Sequence, residues 1–415
     1  MTPRPDGWLD VDAQGRLNLP PDLAARLGVQ PGGRAAYVLQ GNDLRLLRST
    51  DMLARVYLEP TNLCNLDCAT CMRNVWDEPL GWMQPDTFQR VLEGLRSFSP
   101  TPLVFFGGYG EPLAHPRILE MIRAVRALGA PVELITNGIL LDETKASALI
   151  EAGVDTLWVS LDGATPESYA DVRLGDELPR VIANLQRLRE LRDRSGSPGP
   201  QLGIAFVAMR RNIADLPALL RLGLSLGAKR FSISNVLAHT PELRGELLYE
   251  HSQYEPPENG SRPVIDLPRI DFSPELGDAI AEAQRAGCRL VLDGDAPAAR
   301  TNTCPFVAKN SLSVRWDGAV SPCLPLLHSH DSYLDDHQRR SHAFSVGGLN
   351  ERSLPDLWLD TSYRALRERL LAFDFSPCVT CNTCENSFQN IEDCFGNALP
   401  ACGGCLWAQG LIQCP

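Results

Sequence analysis

Thirteen cysteines, most of them in two crowded groups, restrict what this 415-residue chain can fold into. Cys64, Cys68 and Cys71 share one short stretch, and Cys378, Cys381, Cys384, Cys394, Cys402, Cys405 and Cys414 crowd the end. Cys304 and Cys323 lie between these groups. Only Cys288 stands alone, in RAGCRLVLDG, which reads as a helix end feeding a strand and an ordinary buried thiol. The start, MTPRPDGW, lacks the pattern of an export signal. No apolar run reaches the roughly 20 residues that a membrane helix needs. A cytoplasmic protein follows, in a reducing compartment where cysteines serve metal or redox chemistry rather than disulfides. The 39 basic and 51 acidic side chains leave a net charge of −12, which argues against a chain-wide nucleic-acid footprint.

At roughly 150 residues per domain, the length predicts two to three domains. The pattern divides the chain into residues 1–50, 51–240, 241–303 and 304–415. Within the first segment, two short strands flank a Gly-Arg turn. A helix over Pro21–Leu27 then ends at Gly28, and a hairpin joins Ala35–Leu39 to Leu44–Arg48 through Gly41-Asn42. The run GRLNLPPDLAARLGVQPGGR resembles the AbrB/MazE swapped-hairpin fold, which implies a homodimer through residues 1–50. Six Arg and five Asp up to Arg48 leave only +1, so dimerisation or docking is favoured over DNA binding.

From Val56 onward, strands alternate with helices. Strands are expected at 56–59, 103–107, 132–136, 156–161, 202–208 and 230–234, with helices near 85–97, 116–128, 143–152, 178–193 and 216–226. The strands are short and apolar, as buried parallel strands are, and the helices repeat apolar residues at three-to-four spacing. The fold class is therefore α/β: a partial (β/α)6 barrel with chemistry at the C-terminal strand ends. Residues 241–303 read as a polar, Pro-rich linker followed by strand, helix and strand. His328, His330 and His342 fall in LLHSHDSYLDDHQRRSHAF, which reads as a solvated, mobile loop. His115 reads as structural and Trp407 as ordinary core.

The spacing Cys64-x-x-x-Cys68-x-x-Cys71, just after the first barrel strand, lets three thiolates converge on one [4Fe–4S] cubane. Three ligands leave one iron open, like the open position of a catalytic zinc. A zinc site would want a fourth Cys or His nearby, and none follows closely. The loop LEPTNLCNLDCATCMR closely resembles the hallmark of the radical S-adenosylmethionine (SAM) superfamily. That resemblance implies a cluster whose open iron chelates SAM and cleaves it reductively to a 5′-deoxyadenosyl radical. Further positions resemble the family's SAM contacts. Gly107, Gly108, Tyr109, Gly110 and Glu111 match its glycine-rich stretch beside the amino group. Thr136, Asn137 and Gly138, then Ser160 and Asp162, match positions near the ribose and the methionyl carboxylate. Arg173 resembles the arginine that pairs with that carboxylate, and Asn235-Val236 the adenine-side contact.

Gly318-x-x-x-x-Cys323 and Cys378-x-x-Cys381 resemble the SPASM extension of radical SAM maturases, which implies two auxiliary [4Fe–4S] clusters. The family's interleaving implies Cys304, Cys323 and Cys394 for one cluster and Cys378, Cys381 and Cys384 for the other. Cys402, Cys405 and Cys414 supply the remainder, with one thiol to spare. A structural zinc knot from Cys378, Cys381, Cys402 and Cys405 is the alternative. The tail, which carries no Lys or Arg from Phe375 to Pro415, completes a resemblance to maturases of tungsten-containing aldehyde ferredoxin oxidoreductases. This implies that oxidoreductase or its tungsten–pterin cofactor as substrate, and a ferredoxin or flavodoxin-type electron donor. Two other readings stand beside it: a maturase of ribosomal peptides or sulfatases, and a redox-sensing DNA-binding regulator.

Overall fold

The computed structural model describes residues 9–29, 37–40, 43–46, 48–173, 175–251, 265–266, 273–292, 302–334, 336–380 and 384–414. Six parallel strands form the barrel: β1 Arg55–Leu58, β2 Leu103–Phe106, β3 Val132–Thr136, β4 Thr156–Ser160, β5 Gln201–Ala208 and β6 Arg230–Asn235. Each pairs with the next in sequence. The strand runs are apolar on both faces because helices cover one side and side chains fill the lumen on the other. Helix α1, Pro85–Leu95, begins with proline, whose missing N–H costs nothing in a first turn, and it buries Val91, Leu92 and Leu95. Helix α2, Ile118–Arg126, buries Ile118, Met121, Ile122 and Val125, the expected three-to-four stripe. Asp142 caps α3, Glu143–Glu151, by accepting from the Lys145 N–H.

The sheet does not stop at six strands. β7, Arg289–Leu292, adds in parallel beside β6, and β8, Ser311–Val314, adds in parallel beside β1. β9, Ala319–Ser321, and β10, Gly347–Gly348, continue that edge antiparallel. The segment 304–415, expected as a separate unit, therefore donates three strands to the barrel sheet. The physical reason is the open edge of β1, whose backbone N–H and C=O groups need partners. The four residues of β8 are all buried, which such an edge rewards.

In the N-terminal segment, Asp10–Val11 pairs with Leu17–Asn18, and the helix Pro21–Leu27 closes on Gly28 at φ 65°. A Cβ on Gly28 would lie 2.6 Å from Met52, so the turn needs glycine twice over. The hairpin pairs Tyr37–Gln40 with Asp43–Leu46 across the predicted two-residue connection, whose residues 41 and 42 lie outside the described ones. Residues 35 and 36, where the hairpin was expected to begin, lie outside the described residues.

Alternation along the strands stacks the lumen in layers. At the bottom, Arg55, Glu133 and Arg230 meet as an ion-paired trio. Above them Tyr57, Phe105 and Trp158 form an aromatic floor. The space over that floor, at the C-terminal strand ends, is the candidate site.

The histidine stretch departs from expectation. His330–Leu334 pairs with His337–Ser341 as a hairpin, and His328 and His330 are almost fully buried. Their imidazoles find partners inside, which a polar composition alone does not reveal. Among the described residues, no helix is long and apolar enough to cross a membrane.

Candidate active site: three thiols at the mouth of the barrel

The loop after β1 is drawn tight before it delivers its cysteines. Thr61 Oγ1 donates to the Gly81 carbonyl at 2.7 Å, and the Asn62 side chain bonds to both Pro79 O and Gly81 N. Arg73 donates to Leu66 O and to Asp67 at 2.6 and 2.7 Å, while Asn74 holds Cys68 O at 2.9 Å. These bonds fold the loop back, so Cys64, Cys68 and Cys71 share the wall of one cavity of about 310 Å³. Burial pushes the Cys64 thiol up to about 11 and raises that of Cys71 as well. Thiols so placed stay protonated until a metal's positive charge replaces the proton. Among the described residues, no three His, Cys, Asp or Glu side chains stand close enough to hold a single ion. Three thiols spread along a cavity wall suit a cubane, whose irons occupy a volume.

The same cavity is lined by Gly108, Tyr109, Gly110, Glu111, Thr136, Asn137, Ser160, Arg173, Asn235 and Val236. Gly107, Gly138 and Asp162 are not on its wall. Gly110 has a plain steric role: a Cβ there would come 2.3 Å from Thr61 O and 2.6 Å from Leu63 O. The glycine lets the cysteine loop cross directly over the end of β2. Glu111 accepts from Leu113 N, Thr136 Oγ1 and Asn137 N at 2.8–2.9 Å, tying the ends of β2 and β3 together. Burial raises its pKa even against these donors. Asn137 in turn reaches Cys64 Sγ at 3.8 Å and Asn65 at 2.9 Å.

Arg173 ends the helix Pro166–Arg173. It lies 3.5 Å from Cys68 Sγ and pairs with Asp162 at 2.5 Å. Asp162 is fully buried and also accepts from Val207 N. It holds Arg173 and does not itself line the cavity.

Several wall residues were not expected here, among them Cys414, which the resemblance assigned to the auxiliary clusters but which does not line the second cavity. Ile412, Gln413 and Cys414 line the cavity, as does Ser234. The tail is held along β6: Asn235 donates to Leu411 O, Gln413 N donates to Ser234 Oγ, and Gln413 Nε2 donates to Ile233 O. Residues 394–415 carry no charged side chain, and that was the available signal, since burying charge in a barrel lumen is costly. Behind Tyr109 sits a second unforeseen group. His328 lies between Glu59, at 3.0 Å, and Glu78, at 2.5 Å, and stacks on Trp76 with ring centroids 4.1 Å apart. Burial alone would lower its pKa, but the two carboxylates outweigh that and raise it. Glu59 also accepts from Tyr109 N, so this trio braces the glycine-rich turn from outside the cavity.

A second cavity lies beside the first. Cys304, Cys323, Cys402 and Cys405 line it together, with Arg339. This corrects the expected set, in which Cys394 joined Cys304 and Cys323. Cys394 is exposed and does not line this cavity, while burial raises the Cys378 thiol. Cys381 lies outside the described residues. The zinc knot is not what the cavity shows, because Cys402 and Cys405 share a wall with Cys304 and Cys323, and Cys378 is not on it. The reason is the pair Cys402-Gly403-Gly404-Cys405: Gly403 packs on the Ser376 backbone and Gly404 on the Arg339 guanidinium, where any side chain would collide. Burial raises all four thiols of the cavity, Cys304 to about 12. Trp407 and Leu237 line both cavities, so Trp407 is the partition between them. His115, by contrast, is structural, bonding Met83 O and Arg117 N, and Cys288 donates to Ala228 O.

Three thiols and a glycine-lined chamber at the strand ends, with a second ring of thiols alongside, define an enzyme that pairs SAM with iron–sulfur clusters. The chain belongs to the radical SAM superfamily, whose model matches residues 58–198, and an iron–sulfur cluster-binding SPASM domain matches residues 304–385. It is 31% identical to the tungsten-containing aldehyde ferredoxin oxidoreductase cofactor-modifying protein of Pyrococcus furiosus, over 87% of this chain and 96% of that one. It is 32% identical to the PqqA peptide cyclase of Gluconobacter oxydans over 43% of this chain and 48% of that one. Its fold is shared with Streptococcus suis SuiB bound to precursor peptide SuiA, at a TM-score of 0.54 and 16% identity, covering 80% of this chain and 70% of SuiB. A [4Fe–4S] cluster, SAM and auxiliary iron–sulfur clusters are therefore its cofactors.

Proposed function

We propose that the enzyme matures a tungsten-containing oxidoreductase in the cytoplasm, acting on its tungsten–pterin cofactor or on a nearby peptide. The observation that carries this reading is the span of similarity to the Pyrococcus protein, which runs through the barrel and the cysteine-rich end alike. Cys64, Cys68 and Cys71 would hold the SAM cluster. Cys304, Cys323, Cys402 and Cys405 would hold one auxiliary cluster, and Cys378, Cys381, Cys384 and Cys394 the other. When bound, SAM and the reduced cluster supply a carbon-centred radical that takes a hydrogen atom from substrate. The chain's own residues do the positioning. Arg173, aimed by Asp162, offers a planar fork to the methionyl carboxylate. Glu111, held by three donors, keeps the β2 and β3 ends in register around the amino group. Tyr109, Leu237, Leu324 and Trp407 make the chamber's apolar wall and exclude water from it.

The electron enters from a ferredoxin or flavodoxin-type donor, and Trp407 lies between the chamber and the auxiliary thiols. Residues 1–50 form a homodimer in this reading. Val11, Leu17, Tyr37 and Leu44 are 61%, 44%, 62% and 46% exposed, an apolar set that a second copy would cover.

The test is anaerobic reconstitution followed by incubation with the apo-oxidoreductase and SAM. Stimulated 5′-deoxyadenosine formation together with a mass change in the released cofactor is expected. A peptide substrate is the second reading, favoured by the likeness to PqqA peptide cyclase. A mass change confined to a peptide, with the cofactor unaltered, would replace the first reading by the second.

A further inference from the structure

The barrel has a second chamber at its other end. A cavity of about 810 Å³ opens beneath the aromatic floor, between the N-terminal segment and the N-terminal ends of the barrel strands. We propose that this chamber is a binding site for an organic phosphate, an anion carried on an apolar body. It goes beyond the maturase reading and does not depend on it.

The first argument is charge. Among the described residues, Arg48, Arg55, Arg230, Arg289 and Lys309 line the chamber with a single carboxylate, Glu133, so five cations less one anion leave an excess of four. The chain as a whole carries −12, so this is a local inversion of its charge. Glu133 is shared: it pairs with Arg55 and stands 3.1 Å from Arg230. Arg48 and Arg289 form no ion pair and no side-chain hydrogen bond among the described residues. Lys309 meets only a neutral acceptor there, the Cys414 carbonyl at 3.4 Å. Arg48, Arg289 and Lys309 are exposed at the chamber's rim, and cations gathered about a concave surface repel one another and draw in an anion.

The second argument is an orphan donor. Trp158 lines the chamber and is 6% exposed, yet its indole N–H has no acceptor. The ring cannot turn away to find one. Gly203 packs against it so closely that a Cβ would lie 2.5 Å from the ring. Buried donors are rarely left unpaired in folded proteins, and an oxygen-rich ligand would complete this one.

Size and lining set the class. The volume falls in the roughly 300–1,000 Å³ range of small-molecule sites and far exceeds a bare oxyanion. Leu27, Leu46 and Leu103 supply apolar wall for a body attached to the phosphate. Arg48 comes from the N-terminal segment and Arg289 from β7, so a bound phosphate would clamp that segment to the barrel. Gln413 and Cys414 line both chambers and separate this one from the SAM chamber.

The test is calorimetric titration of the reconstituted full chain with 1-naphthyl monophosphate, 1-naphthol and inorganic phosphate. Saturable binding of the monophosphate is expected, with 1-naphthol and inorganic phosphate each at least tenfold weaker. Arg48→Ala and Arg289→Ala should each weaken the monophosphate at least tenfold and leave 5′-deoxyadenosine formation from SAM unchanged. Bound monophosphate should also slow tryptic cleavage after Arg48 without displacing SAM. The proposal is overturned by absence of binding at millimolar monophosphate, by equal affinity in both variants, or by competition with SAM. Inorganic phosphate binding as tightly as the monophosphate would equally overturn the assignment to an organic phosphate.

Discussion

The SAM chamber draws its three thiols from one short loop, Cys64 to Cys71, while the neighbouring cavity gathers Cys304, Cys323, Cys402 and Cys405 from three distant segments. A loop of that kind is closed by its own bonds, such as Arg73 to Leu66 O and Asn74 to Cys68 O. The second cavity depends on packing that only the folded chain supplies, notably the glycines that let Cys402 and Cys405 pass Ser376 and Arg339. Local chemistry can be read along a sequence, whereas non-local convergence is set by which surfaces meet.

The largest effect separates the two cavities directly. Cys71→Ala should abolish 5′-deoxyadenosine formation, assayed chromatographically under dithionite. Cys405→Ala should lose about four of about twelve irons, one cubane's worth, while SAM cleavage stays within about tenfold. Electron paramagnetic resonance sharpens the comparison: Cys405→Ala and Cys304→Ala should remove the same auxiliary signal. If Cys394→Ala removed that signal instead, the grouping drawn from the cavity would break.

Next in size is the brace behind the chamber. His328→Leu removes the imidazole donor from buried Glu59, at a cost of about 3–5 kcal/mol in unfolding stability. The folded pKa of His328 is raised above the 6.5 of the free side chain. Its contribution is therefore fully present below that value and is lost as pH rises through the folded pKa. The wild-type melting temperature should fall across that window, and the variant's should not follow it.

Arg173→Lys should then raise the KM for SAM by about 10–100-fold with iron content unchanged, because an ammonium cannot copy a bidentate fork. Asp162→Asn should act in the same direction through the lost aim of Arg173. The smallest effect belongs to the tail. Ser234→Ala removes the acceptor of Gln413 N–H, worth about 0.5–1.5 kcal/mol, and should appear as faster proteolysis after the barrel.

The regions differ in how far they could be read without a structure. Helix α2 and the six barrel strands follow from spacing alone, because each element's apolar period is written within its own residues. Gly108, Gly110 and Arg173, singled out by the family resemblance, line the SAM chamber. The Glu59–His328–Glu78 trio was not legible, because its members belong to three separate stretches and no period links them. Cys394, grouped by resemblance with Cys304 and Cys323, does not line their cavity, and no local period could have shown that.

What the sequence determined by itself is the barrel, the three-thiol loop and the total of available cysteines, since each rests on neighbours in the chain. What the tertiary structure decided is which distant thiols share a cavity, that the uncharged tail lies along β6 between two chambers, and that β8 closes the edge of β1. Those choices follow from burying unpaired backbone and apolar surface against whichever partner the fold brings near, and chain order does not carry that information.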